Sequence, residues 1–318
     1  MGYLSVVVNI RFAIGLVFQI VGCLLSFQAF AASPREAVVL IPGTLNSLLP
    51  GSIRSNFPDR DRRLNDYFSM DIVESIEVNG DVVHIVNGLS PMGDFAQNGE
   101  TALQDLGTWY EASFPDHDVP ITILGHCAGG FYSLYLAAHA QDLPIRKIVL
   151  FSTPMLGSEL ADFVFGHLPL LDSLFMKTGS IFDLRGLAEL TTTKINTFLE
   201  KLDITPQIQI YAVSGKQSRA QAIYRQFDAE YLSPLFSLTA ALIGGESDGM
   251  VSRRSALATR AGTLTGQFHP MPEISIPLDH AEQVLDYRLL ALFGTRHATW
   301  VSDQQRAIYP VLAKIGDR

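Results

Sequence analysis

Ile121-Thr122-Ile123-Leu124-Gly125-His126-Cys127-Ala128-Gly129-Gly130 is the stretch whose reading decides the fold. A β-branched, apolar run leads into Gly-His-Cys-Ala-Gly, and Gly130-Phe131-Tyr132-Ser133-Leu134-Tyr135-Leu136-Ala137-Ala138-His139-Ala140 then reads as a helix packed on a sheet. The pattern is that of a nucleophile elbow, G-x-S-x-G, with cysteine at the serine position. In such an elbow the chain leaves a strand, turns sharply and enters a helix, with the nucleophile at the tip. Positions two before and two after the nucleophile must be small, because a side chain there would meet neighbouring backbone. Gly125 and Gly129 meet that need. A buried, inert cysteine in an ordinary strand-to-helix turn is the bland alternative, but the strand and helix around Cys127 favour acyl chemistry.

Around the elbow, short apolar runs alternate with helical patterns. Glu36–Pro42 reads as a buried strand that ends in Pro-Gly, and Ile72–Val86 as two strand-like stretches around an Asn79-Gly80 hairpin signal. Asn98–Phe114 reads as an amphipathic helix, Ile145–Ser152 and Ile208–Ser214 as strands, and Leu238–Gly244 as a further strand or its approach. Ile274–Pro277 reads as a short strand and Ala281–Phe293 as the closing helix. Strands alternating with helices predict a mostly parallel central sheet flanked by helices. Residues 157–205 are apolar and helical, too apolar for a surface excursion, and are expected to form a helical cap insertion, with helices packed normally on the sheet as the rival for part of it.

The N-terminus reads as a targeting segment. Arg11 is the only charge before Arg35, Phe12–Phe27 is nearly uninterrupted apolar sequence, and Ala29-Phe30-Ala31 offers a small-residue cleavage site. Residues 1–31 are therefore expected to be a signal peptide and residues 32–318 the folded domain, exported to the periplasm or beyond. A lipoprotein anchored at Cys23 and an uncleaved N-terminal anchor are the alternatives. Of two cysteines in the chain, only Cys127 then remains, so no internal disulfide can form and stability must come from the core. The net charge of −9, with no basic run, excludes nucleic acid as a partner.

A thiol or hydroxyl needs a base, and the base needs an orienting carboxylate. Downstream of Cys127 stand His139, His167, His269, His280 and His297. His280 follows directly on the strand-like Ile274–Pro277 and is the chosen base, with His269 as runner-up. Gly244-Gly245-Glu246-Ser247-Asp248-Gly249 is a glycine-flanked loop after an apolar run, which points to Asp248 as the acid, with Glu246 as the alternative. An Asp-Gly pair that merely caps a turn is the plain reading of the same loop. The oxyanion needs two backbone N–H groups. Ala128, after the nucleophile, and Thr44, in the Pro42-Gly43-Thr44 loop after the first strand, are the candidates.

Several segments, in order from about Val38 to Phe293, resemble the bacterial secreted triacylglycerol lipases, the group that includes the lactonizing lipases. Val38–Gly43 is similar to the family's strand and oxyanion loop, with Pro42 in place of a histidine. Phe151–Phe163 (FSTPMLGSELADF) is close to its T-P-H-x-G-S-x-x-A-D-F, with Met155 in place of the second histidine. Asn98-Gly99-Glu100 resembles the start of the helix before the elbow, and Leu190–Phe198 a late cap segment. Ser247–Val251 resembles the loop carrying the catalytic aspartate, and Asp279–Val284 the loop carrying the catalytic histidine. The resemblance implies an α/β-hydrolase fold and an ester hydrolase with lipid or ester substrates, here with a Cys-His-Asp triad and an acyl-thioester intermediate. It also implies a structural calcium held by Asp228 and Glu282, both oxygen ligands suited to Ca²⁺, and raises a dedicated foldase as a partner. Membrane contact is expected only at a lipid surface or through an uncleaved anchor. The box is also similar to the G-x-C-x-G-G of polyhydroxyalkanoate synthases, though an export signal argues against their intracellular substrates, and dienelactone hydrolases likewise carry an elbow cysteine. Acyl transfer through Cys127, and a non-catalytic lipid- or partner-binding role, are the alternative functions.

Overall fold

Alternation along the strands explains the architecture. A computed structural model describes residues 36–43, 67–78, 80–90, 93–116, 119–167, 185–215, 239–240, 243, 245–259, 264, 266–276, 278, 280, 283–284 and 311. In chain order these form β1 (Ala37–Ile41), α1 (Met70–Glu77), β2 (Val82–Ile85), α2 (Phe95–Ser113), β3 (Ile121–His126) and α3 (Gly129–His139). There follow β4 (Ile145–Phe151), α4 (Glu159–His167), α5 (Arg185–Glu189), α6 (Thr192–Leu199), β5 (Gln209–Gly215), α7 (Arg253–Ala256) and β6 (Phe268–Ile276). Among the described residues the strands form one sheet in the order β2-β1-β3-β4-β5-β6, and every neighbouring pair is parallel.

Successive strand residues point to opposite faces, and both faces are apolar. Val39, Ile41, Ile123, Ile148, Leu150 and Ile210 belong to one buried cluster, which also holds Leu106 and Tyr110 of α2 and Phe131 and Leu134 of α3. Val38, Leu40, Leu124, Val149, Phe151 and Val213 belong to a second cluster, together with Ile72, Val73 and Ile76 of α1. A parallel sheet covered on both faces needs such near-continuous apolar strands. Each fully buried Leu, Ile or Val contributes about 1.5–3 kcal/mol. Leu190, Ile195 and Leu199, from the segment expected to form a cap, sit in the same cluster as α2 and α3; residues 168–184 lie outside the described residues.

Three expectations need correction. The hairpin over Ile72–Val86 does not exist: its first half is helix α1, and β2 pairs in parallel with β1. Ile72, Val73 and Ile76 are spaced to line one helical face, and the helix ends at Glu77, with Gly80 N–H bonded to Glu77 O and Gly80 at φ 84°. In Leu238–Gly244, the described residues, 239, 240 and 243, are helical rather than strand. The next strand, β6, begins at Phe268 rather than Ile274, so His269 lies in the sheet opposite Tyr211 rather than in a loop. Pro270 and Pro272 break the sequence signal, yet a strand bordered on one side tolerates residues without an N–H. The expected closing helix, Ala281–Phe293, lies outside the described residues except for residues 283 and 284.

Strand order positions the site. From β1 the chain moves to β2 on one side, then α2 carries it back across to β3 on the other. At such a switch point the connections leave in opposite directions and open a crevice at the strands' C-terminal ends. The C-terminal ends of β1 and β3 carry Gly43 and Cys127.

Candidate active site

The elbow is built by exclusion of side chains. β3 ends at His126, Cys127 adopts φ 55°, and Ala128 is the N-cap of α3. A left-handed conformation at a non-glycine residue costs about 1–2 kcal/mol. It is held by a hydrogen bond from Cys127 N–H to Phe151 O (2.9 Å) at the end of β4. A methyl group on Gly125 would meet the Ser133 hydroxyl and stand 2.6 Å from Gly129 O, and one on Gly129 would run into Ile41 O. Only glycine at both positions lets α3 begin against β1 and β3. Gly43 is equally constrained: a Cβ there would stand 2.7 Å from Cys127 Cβ and 2.9 Å from the Tyr67 hydroxyl. The loop after β1 thus lies directly on Cys127, and Ala128 sits at a helix start, where backbone N–H groups lack intrahelical acceptors.

His280 and Asp248 form a buried pair. His280 Nδ1 lies 2.7 Å from Asp248 Oδ2, both side chains essentially inaccessible to solvent. The loop carrying Asp248 is closed by an antiparallel bridge between Ser247 and Ser252, with Gly249 at φ 93°. Asp248 Oδ1 accepts from Met250 N–H (3.0 Å) and Val251 N–H (2.8 Å), and His280 N–H donates to Asp248 O (2.9 Å). Burial works against the charged forms of both groups. The His280 ring and the two loop amides nevertheless hold the Asp248 carboxyl far below the usual carboxylate range. Conversely the Asp248 charge, then the nearby Cys127, and the hydrogen bond to Asp248 hold His280 well above its ordinary 6.5 despite its burial. Nδ1–H therefore donates to Asp248. The far nitrogen, Nε2, is buried and makes no hydrogen bond, and Cys127 is among the causes that raise the ring's pKa.

The alternatives lie elsewhere. Glu246 pairs with Arg253 at 3.4 Å and is about half exposed. The His269 ring lies tilted against Tyr211 within the sheet (ring centroids 5.4 Å).

Two further residues were not singled out in the sequence. The Tyr67 hydroxyl is 2.6 Å from His126 Nδ1, both fully buried, and it also receives the Gly43 N–H. It thereby ties the loop after β1 to the residue before Cys127. Burial and then the nearby Cys127 push the Tyr67 hydroxyl's pKa up, so it stays protonated and donates to His126. Burial and then the charge of His280, whose ring is 4.5 Å away, push His126 down, so it stays neutral. His126 was legible as part of the elbow. Tyr67 had no local signal, since only tertiary contact brings it 59 residues along the chain to its partner.

No protein-family model matches the chain. Solved structures do. A lipase of Bacillus licheniformis in its mature form matches with a TM-score of 0.50 at 18% identity, over 89% of this chain and 93% of the lipase. A metagenomic carboxyl esterase matches at 0.54 and 18%, over 88% and 73% of the two chains. The lipase of Staphylococcus hyicus matches at 0.58 and 13%, over 90% and 97%. The chain has the α/β-hydrolase fold.

Within this fold the sequence candidates divide by position. Cys127, Ala128, Asp248 and His280 lie in described residues, and Asp248 and His280 are in contact. Thr44, Asp228 and Glu282 lie outside the described residues. Among the described residues no group of three or more His, Cys, Asp or Glu is arranged to hold a metal, and no helix is long and apolar enough to cross a membrane. The segment 1–31 also lies outside the described residues. Met155, one of the two departures from the lipase pattern, is wholly buried in the core.

Proposed function

We propose that the chain is an exported hydrolase of carboxylic or thio esters of acyl chains, with Cys127 as nucleophile, His280 as base and Asp248 as its orienting acid. The observation that carries this reading is the buried Asp248–His280 pair, whose Nε2 makes no hydrogen bond, in a fold where Cys127 is held in the left-handed region at the tip of an elbow. The likeness in fold to a lipase and a carboxyl esterase supports the reaction class.

The steps follow from the side chains. Cys127 Sγ attacks the ester carbonyl carbon while His280 Nε2 takes the thiol proton, and Asp248 stabilises the imidazolium that forms. The carbonyl oxygen becomes an oxyanion, received by the N–H groups of Ala128 and Thr44. Collapse breaks the bond to the leaving oxygen, which takes the proton from His280, and leaves an acyl-thioester on Cys127. Water then attacks the thioester as His280 removes its proton; the acid departs and the thiol is restored. Residues 157–205 are proposed to contribute apolar contacts to the acyl chain. Calcium enters this reading only as a structural ion at Asp228 and Glu282, with no step assigned to it.

Hydrolysis of a p-nitrophenyl ester series by the purified protein, beside Cys127→Ala and Cys127→Ser, tests the proposal. Turnover by the wild type and none by Cys127→Ala supports it. An inert wild type beside an active Cys127→Ser moves acyl transfer or lipid binding ahead of hydrolysis. Product analysis with added alcohols separates transfer from hydrolysis.

A further inference from the structure

Behind the Asp248–His280 pair runs a buried chain of hydrogen bonds that the proposed reaction does not use. Gly215 N–H donates to Ser152 Oγ (3.0 Å), the Ser152 hydroxyl donates to Gln283 Oε1 (2.8 Å), and Gln283 Nε2 donates to Asp248 Oδ2 (3.0 Å). That oxygen is the one facing His280 Nδ1. The direction of the chain follows from donor inventory. An ionised carboxylate only accepts, so Gln283 must turn its NH₂ toward Asp248; its carbonyl then faces Ser152, whose hydroxyl hydrogen is free because Ser152 Oγ already accepts from Gly215. Ser152, Asp248, His280 and Gln283 are all buried to within 1% of full enclosure.

Two backbone features let these groups meet. Ser152, at the end of β4, holds φ 46°, and with Cys127 it is one of two described non-glycine residues in the left-handed region. A Cβ on Gly215 would collide with Gln283 Nε2 and stand 2.7 Å from Asp248 Cβ. Strain is retained at positions the surrounding structure over-determines, and such positions cluster at functional sites.

We infer that Gln283 and Ser152 are positioning residues: they fix the rotamer of the Asp248 carboxylate so that Oδ2 faces His280. The inference rests on the proposed triad. Without the Gln283 amide, Oδ2 has one donor, Nδ1–H, and the carboxylate is held only through Oδ1 by the loop amides.

The test uses Gln283→Leu, Ser152→Ala and Asp248→Asn singly, and Gln283→Leu combined with Asp248→Asn, each checked for folding by its melting temperature. Two readouts are taken: the far-downfield proton resonance of His280 Nδ1–H, assigned by its loss in His280→Gln, and kcat and KM for a p-nitrophenyl ester. The expected result is that Gln283→Leu folds and loses the Nδ1–H resonance to exchange with water. Its kcat falls about tenfold with KM little changed, but in the Asp248→Asn background it costs nothing further, because it acts through that carboxylate. Ser152→Ala should change both readouts in the same direction and less. A folded Gln283→Leu with an intact Nδ1–H resonance overturns the inference, as does an equal loss in both backgrounds. If the wild type hydrolyses no ester, the functional reading fails, and the resonance alone decides whether Gln283 positions Asp248.

Discussion

Gly43 lies against Cys127 so closely that a Cβ on it would stand 2.7 Å from the Cβ of the cysteine. The loop after the first strand and the tip of the elbow are therefore one surface. If Cys127 is the nucleophile and Thr44 N–H an oxyanion donor, as proposed, Gly43→Ala should push the loop, and that N–H with it, away from Cys127. Removing one oxyanion donor costs about 10²–10³ in kcat. We expect Gly43→Ala to lose roughly a hundredfold in kcat on a p-nitrophenyl ester; activity within threefold of wild type would exclude the loop from the reaction.

Two glycines with opposite surroundings give a matched test of the fold. A methyl on Gly129 would run into the backbone carbonyl of Ile41, which cannot move without disturbing β1. Gly129→Ala should destabilise by about 3 kcal/mol. Gly107 lies inside helix α2 with nothing within 4 Å of an added Cβ. Gly107→Ala should stabilise by about 0.5–1 kcal/mol through helix propensity. Denaturant titration of both variants reads the two signs directly.

Tyr67 bridges His126 and Gly43 through one hydroxyl. Tyr67→Phe keeps the ring and leaves His126 Nδ1 buried without its donor, a cost of about 1–3 kcal/mol. Because the same hydroxyl anchors the Gly43 loop, kcat should fall as well, with KM little changed. A variant that melts lower but turns over normally would separate the anchor from catalysis.

The Asp248–His280 pair sets a pH dependence whose sign follows from the two shifts. Asp248 is depressed below its ordinary 3.8, so its contribution is present above that value and is lost as pH falls through the folded pKa. His280 is raised above 6.5, so its contribution is complete below 6.5 and is lost as pH rises through the folded value. The difference in melting temperature between wild type and His280→Gln should be greatest from about pH 4 to 6.5 and shrink as pH rises through the raised folded value. His126 runs the other way, since its lowered pKa withdraws stability as pH falls through 6.5; comparison with His280→Gln, which keeps His126, removes most of that background. A difference that grows with pH would contradict the pairing.

Much of the fold could be read along the chain because its signals are local. The runs at β1, β3, β4 and β5 are continuous and β-branched, as strands covered on both faces must be, and the glycines of the elbow announce a turn. The failures occurred where two periods compete. Ile72, Val73 and Ile76 satisfy a helix and a short strand alike, and a nearby Asn-Gly tipped the reading toward a hairpin that parallel pairing excludes. Two prolines hid the first half of β6, because a residue that breaks an interior strand is accepted at a border.

By itself the sequence determined that a strand, a tight turn and a helix meet at Cys127, since glycines at 125 and 129 and the apolar runs beside them act over a few residues. It also supplied a short roster of acids and bases. Tertiary structure alone decided which of them meet. Asp248 and His280 are 32 residues apart, Tyr67 and His126 are 59 apart, and Ser152 and Gln283 are 131 apart. Hydrogen bonds between buried side chains act over about 3 Å and leave no periodic trace in the chain, so only the order of strands in the sheet brings these partners together.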